Sequence, residues 1–141
     1  MKSFDAVSVI NAAPERVWGI LIDGARYPDW DSGVLGVEGS IAPGETIKVR
    51  SGANPGRTFP VKVTEFDPNK SMTWSGGVPL GLFKGVRTFK LSPSGDGTTR
   101  FQVREEYTGP LLPMMWRSLP DLGPWFNQFA NGLKARAEQP G

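Results

Sequence analysis

The stretch GVRTFKLSPSGDGTTRFQVREEYTG, residues 85–109, carries the pattern of two β-strands joined by a turn. Residues 83–91 and 100–107 are the strands, and SPSGDGTT between them is rich in turn formers. Side chains alternate across a strand, so Phe101, Val103, Glu105 and Tyr107 share one face, and Arg100, Gln102, Arg104 and Glu106 share the other. The second set is polar throughout and belongs to solvent, which turns Glu105 inward among apolar neighbours. In the preceding strand Phe83, Gly85, Arg87, Phe89 and Leu91 oppose Leu82, Lys84, Val86, Thr88 and Lys90, so Arg87 also points inward. A hairpin centred near Asp96 sets Leu91 against Phe101, Phe89 against Val103 and Arg87 against Glu105. All three pairs agree in sidedness, which supports this register.

An inward Arg87–Glu105 pair follows. Either charge alone in such a place would cost several kcal/mol, roughly, so pairing is the cheaper state. Two roles are open to the pair: fixing strand register by mutual satisfaction, or orienting a polar group on an otherwise apolar ligand.

Working outward, residues 2–10 alternate as a strand, with Phe4, Ala6, Ser8 and Ile10 on one side. Asn11 offers an N-cap region, and Pro14 with Glu15 suits the first turn of a helix over 14–22, whose face carries Val17, Trp18 and Leu21. A short helical turn over 25–31, interrupted at Pro28, comes next. Strands are expected at 34–39, 45–51, 59–66 and 71–75, with a loop at 51–57 and a type I turn at 67–70. GGVPLG, residues 76–81, reads as a loop long enough to form a pocket lip. In the C-terminal region Leu122, Trp125, Phe126, Phe129 and Leu133 recur at helical spacing, in a helix ending near Glu138. Pro120 and Pro124 predict that this helix is broken or newly started near Asp121.

Six or seven strands with so little helix cannot have both sheet faces covered. One face is wet, and the other wraps the last helix, leaving a space in which a ligand would sit. The expected class is α+β, one domain over residues 1–141, within the usual size of a single folding unit.

Composition narrows the chemistry. The chain has no cysteine and no histidine, which removes thiolate chemistry, the commonest general base and the commonest metal ligand. Asp5, Asp23, Asp29 and Asp31 have no recognised ligand spacing, so no metal and no cofactor is expected. The 16 Lys+Arg against 14 Asp+Glu leave a net charge of +2, spread over strand faces rather than clustered, so no nucleic-acid partner is expected. The glycines at 76, 77, 81 and 85 form no phosphate loop. No apolar run approaches the ~20 residues of a membrane span, and the opening MKSFDAVSVINAAPE is not a signal peptide, so a cytoplasmic location is expected. An edge strand would permit a homodimer as readily as a monomer.

Five tryptophans, Trp18, Trp30, Trp74, Trp116 and Trp125, suit either a core or the stacking of a planar or hydrophobic ligand. Met114 and Met115, ahead of the final helix, could form an adaptable pocket entrance or simply fill a gap.

Three strings, INAAPERVWGILIDGARYPDWD, VTEFDPNKSMTW and the hairpin quoted above, occur in an order and spacing that resembles the START-like, birch-pollen-allergen-like superfamily, SRPBCC. Within it the chain is similar to small bacterial proteins of the polyketide cyclase/dehydrase-like family. The resemblance covers nearly the whole chain. It implies a helix-grip fold: a seven-stranded antiparallel sheet, two short helices and a long C-terminal helix around a hydrophobic cavity. It also implies binding of lipids, polyketides or other apolar molecules, and in some members cyclisation or dehydration. Trp30 matches the family's tryptophan after the second short helix, and Glu105 a glutamate on the last strand. Where related sequences often carry Asn-Pro after that tryptophan, this chain has Asp31-Ser32. Where they often carry histidine, it has Arg87, and in some cases Val103.

The reading to test is a binder of a small hydrophobic molecule, its polar or anionic head near Arg87 and Glu105. The body would lie against Trp74, Phe89, Trp125 and Phe129, with Val103, Tyr107 and Met115 completing the candidate lining. The alternatives are a cyclase or dehydratase using Glu105 as acid or base with Tyr107 as helper, and an interaction module whose cavity is filled by tryptophan.

Overall fold

In the computed structural model the hairpin forms as β6, Phe83–Pro93, and β7, Thr99–Thr108, with Arg87 opposite Glu105, Phe89 opposite Val103 and Leu91 opposite Phe101. The described residues are 2–52, 55–116 and 121–139; for Val78, Pro79, Met115 and Trp116 the description is of backbone only. Pro120 and positions 53–54 of the expected 51–57 loop thus lie outside the described residues, as do the side chains of Met115 and Trp116.

Around the hairpin the chain adds β1 (Lys2–Ile10), β2 (Val34–Glu38), β3 (Thr46–Ser51), β4 (Phe59–Asp67) and β5 (Ser71–Val78). All seven form one antiparallel sheet in the order β1-β7-β6-β5-β4-β3-β2. Helix α1 (Pro14–Ile22) and a 3-10 segment (Gly24–Asp29) link β1 to β2, and α2 (Leu112–Trp116) and α3 (Gly123–Ala137) follow β7. The curled sheet grips α3, which is the expected helix-grip arrangement.

The inner face is the one that alternation assigned. Ala6, Ser8 and Ile10 are buried from β1, Phe83, Phe89 and Leu91 from β6, and Phe101, Val103 and Tyr107 from β7. The apolar ones other than Phe83 and Tyr107 share one core with Phe126, Phe129 and Leu133 of α3 and Val17, Trp18 and Leu21 of α1. Each such large side chain removed from water contributes about 1.5–3 kcal/mol.

Polar ties fix α3 against the strands. Ser8 donates its hydroxyl to the Ala130 carbonyl at 3.0 Å, and the Lys134 ammonium donates to the Val9 carbonyl at 2.8 Å. Arg16 on α1 donates to the carbonyls of Ala137 and Gln139 at 2.6 and 2.8 Å, capping the end of α3. Along the middle of the helix Gln128 donates to Asp31 at 2.6 Å, and Gly132 lies so close to the Asp31 backbone that a Cβ would overlap its carbonyl.

Four local expectations change. Residues 76–78 are not loop: β5 continues through Gly76 and Gly77, which pair with Gly85 and Lys84, and the lip shrinks to a 3-10 turn at Pro79–Gly81. Two adjacent glycines look like a breaker in sequence, yet Gly76 abuts the Pro60 carbonyl, where a side chain would not fit. Asn69 has φ 66°, so the 67–70 turn has the left-handed third residue of type II rather than type I. The α1 N-cap is Ala13 without a side-chain cap, while the Asn11 backbone N–H donates to Glu138 at 2.7 Å. Pro28 sits inside the 3-10 segment instead of interrupting it.

Candidate functional site

Between the start of α3 and the inner faces of β6 and β7 lies a pocket lined by Ser32, Gly33, Val34, Ser51, Arg87, Val103, Leu122, Trp125, Phe126 and Phe129. Its free volume is about 40 Å³, room for a few water molecules. Drug-sized ligands occupy pockets of about 300–1,000 Å³. In this state the space is therefore largely occupied by the protein's own side chains.

Arg87 is the charged group of the lining. Its Nε donates to Glu105 Oε1 at 2.7 Å, and its guanidinium carbon stands 4.8 Å from the centre of the Phe126 ring. The two side chains are 23% and 13% exposed, so neither charge has full access to water. Burial works against the charge on Arg87, but the Glu105 carboxylate beside it, with contributions from Tyr107 and Tyr27, outweighs that and raises its pKa further. The arginine is a fixed cation.

Tyr107 hydrogen-bonds Glu105, and burial together with that carboxylate raises its phenol pKa, so Tyr107 stays neutral. The result is a chain of three: tyrosine, carboxylate, guanidinium. Its end in the pocket is Arg87, whose terminal Nη groups make no hydrogen bond to the described residues.

The expected residues separate into layers. Arg87, Val103, Trp125 and Phe129 line the pocket; Glu105 and Tyr107 stand behind Arg87. Trp74 and Phe89 lie deeper, 3% and 0% exposed, with ring centroids 4.7 Å apart. They belong to an aromatic cluster with Tyr27, Trp30 and Phe129, in which Trp30 and Phe129 meet edge to face at 5.2 Å. Among the described residues, the buried indole N–H groups of Trp30 and Trp74 have no hydrogen-bond partner. Tyr27, in contrast, donates its hydroxyl to the Leu21 carbonyl. The side chain of Met115 lies outside the described residues.

Trp125 closes the mouth. Its ring packs on two glycines, so close that a Cβ on Gly33 would stand 3.1 Å from it and one on Gly52 only 2.8 Å. Gly33, at φ 76°, also takes a left-handed conformation that favours glycine. Sequence reasoning did not assign Ser32, Gly33, Val34 or Ser51 to the site, because they come from distant turns and strand ends brought under α3 by the sheet's curl. The one available signal was Phe126, adjacent to Trp125 on the apolar stripe and able to stack on an inward arginine.

The fold recurs among solved structures. A hypothetical protein from Helicobacter pylori superposes with a TM-score of 0.79 at 12% identity, over 97% of this chain and 88% of its own. A START superfamily protein from Mycobacterium smegmatis gives 0.71 at 20% identity, over 97% of both chains. The Zhui aromatase/cyclase from Streptomyces sp. R1128 gives 0.74 at 13% identity, over 97% and 93%. No curated protein matches the sequence. The profile of the family described as polyketide cyclase / dehydrase and lipid transport matches residues 1–138, and the chain belongs to that family.

Proposed function

We propose that the protein binds a small, mostly apolar molecule with one anionic or strongly polar end, seated between α3 and the sheet with that end on Arg87. The observation that carries this reading is the guanidinium itself. It is held by Glu105 through Nε, backed by the Phe126 ring and set in an otherwise mostly apolar lining. An ion pair kept only for register has no need of a pocket beside it. Binding requires Trp125 to move off Gly33 and Gly52, because the present volume holds only water-sized guests.

A thermal-shift panel of lipids, aromatic acids and polyketide-like phenols tests the reading. Stabilisation by apolar acids is expected, and no stabilisation by any apolar compound would refute it. The acid–base reading of Glu105, with Tyr107 as helper, has less support, because Glu105 is engaged by Arg87 and Tyr107 and is not part of the lining. If the protein does turn over a polyketide-like substrate, Glu105→Gln retaining full turnover would eliminate that role.

A further inference from the structure

Two segments meet at the end of the sheet where β5 turns into β6 and where β7 leads into α2. The Leu111 backbone N–H donates to the Leu82 carbonyl at 2.9 Å, and Gly109, at φ 116°, allows the approach: a Cβ there would stand 2.5 Å from the same oxygen. Beneath them Phe83, Tyr107 and Leu112 form a small buried cluster, joined by Phe4, Leu111 and Leu122. Above it the side chains are apolar and in water. Leu80 is 95% exposed, Met114 70% and Leu82 40%.

Leu80 stands at φ 66°, a conformation that glycine or asparagine adopts cheaply and leucine does not. The turn thus spends a strained residue on holding an apolar side chain outward. The segments that carry these side chains hold no acidic residue. No Asp or Glu occurs between Asp67 and Asp96 or between Glu106 and Asp121, and exposed Lys84 lies beside the tip.

A projecting leucine, a flexible methionine and an exposed lysine beside them suit the boundary of a lipid bilayer better than a flat protein face. We infer that this end of the molecule seats on an anionic bilayer surface. Leu80, Leu82 and Met114 enter the headgroup–acyl boundary, and Lys84 meets the lipid charge. Leu122 belongs both to the cluster beneath this tip and to the pocket lining, so the seated face adjoins the pocket. The inference stands apart from the ligand proposal, because Leu80 is not part of the pocket.

The test is co-sedimentation of the full chain with vesicles of phosphatidylcholine alone and of phosphatidylcholine with phosphatidylglycerol. Binding to the anionic vesicles that weakens with salt is expected. Leu80→Ser should lower partitioning about tenfold, and Lys84→Glu should remove the preference for anionic lipid. Both variants should keep the wild-type melting temperature and affinity for 2-naphthoate. A wild-type chain left in the supernatant with both vesicles overturns the inference, as does unchanged partitioning of Leu80→Ser. A dimer that Leu80→Ser dissociates, without vesicle binding, overturns it in favour of a second copy.

Discussion

Arg87 and Glu105 were legible at the residue level because two alternations agreed: the last strand has one wholly polar face, which turns Glu105 inward, and the preceding strand sets Arg87 with Phe83, Phe89 and Leu91, away from Lys84 and Lys90. The observed 2.7 Å contact across paired positions follows from that phasing. The stack on Phe126 was not legible, since no local pattern relates β6 to α3 in distance or angle. Removing one member of the pair leaves the other charge half-buried, so Arg87→Met should cost about 1–3 kcal/mol in denaturant unfolding. The double variant Arg87→Met/Glu105→Gln should recover part of that loss, and strict additivity of the two single variants would show that the pair is not coupled. Glu138 supplies a pH-dependent counterpart. The backbone N–H of Asn11 and then Lys134 hold its carboxyl below the usual value of 4.5. A lowered folded-state pKa contributes stability above the unfolded value, lost as pH falls through the folded one. Melting temperature should therefore drop more steeply on acidification below that usual value in the wild type than in Glu138→Gln. Parallel curves would contradict this.

Strands were easy to read as elements and their ends were not. Period-two alternation located β1, β3, β6 and β7 within a residue or two, because one wet face and one buried face impose it. The extension of β5 was hidden by Gly76 and Gly77, whose lack of side chains reflects close neighbours rather than a turn. For α3 the apolar stripe gave the buried face, but the closeness of its approach to the Asp31 loop depends on Gly132. Alanine there has the better helix propensity by about 1 kcal/mol, yet its methyl would force α3 away from the Asp31 carbonyl. Gly132→Ala should therefore destabilise, by about 1–3 kcal/mol in chemical denaturation; a stabilised variant would show that α3 shifts freely. Trp125→Ala should open the pocket mouth at a similar stability cost and raise the association rate of any ligand that enters there, measured by stopped-flow quenching of the remaining tryptophans. An unchanged rate would mean entry elsewhere.

The molecule as a whole is a curled sheet closed on a helix, with an interior more crowded than the sequence suggested. Tryptophan content was compatible with a stacking surface or a filled core, and composition alone does not separate them. In the structure Trp30 and Trp74 sit in the packed aromatic cluster, and Trp125 covers a small pocket that Arg87 also lines. Family membership is consistent with either binding or cyclisation, so the decision rests on whether the Arg87 end selects for charge. Isothermal titration of the wild type with 2-naphthoate and with 2-methylnaphthalene, matched in shape and different in charge, addresses this directly. The carboxylate should bind at least about tenfold more tightly, the worth of one charge-assisted hydrogen bond. This preference should disappear in Arg87→Met while binding of the hydrocarbon persists. Equal affinities in the wild type, or a preference that survives in Arg87→Met, would contradict it.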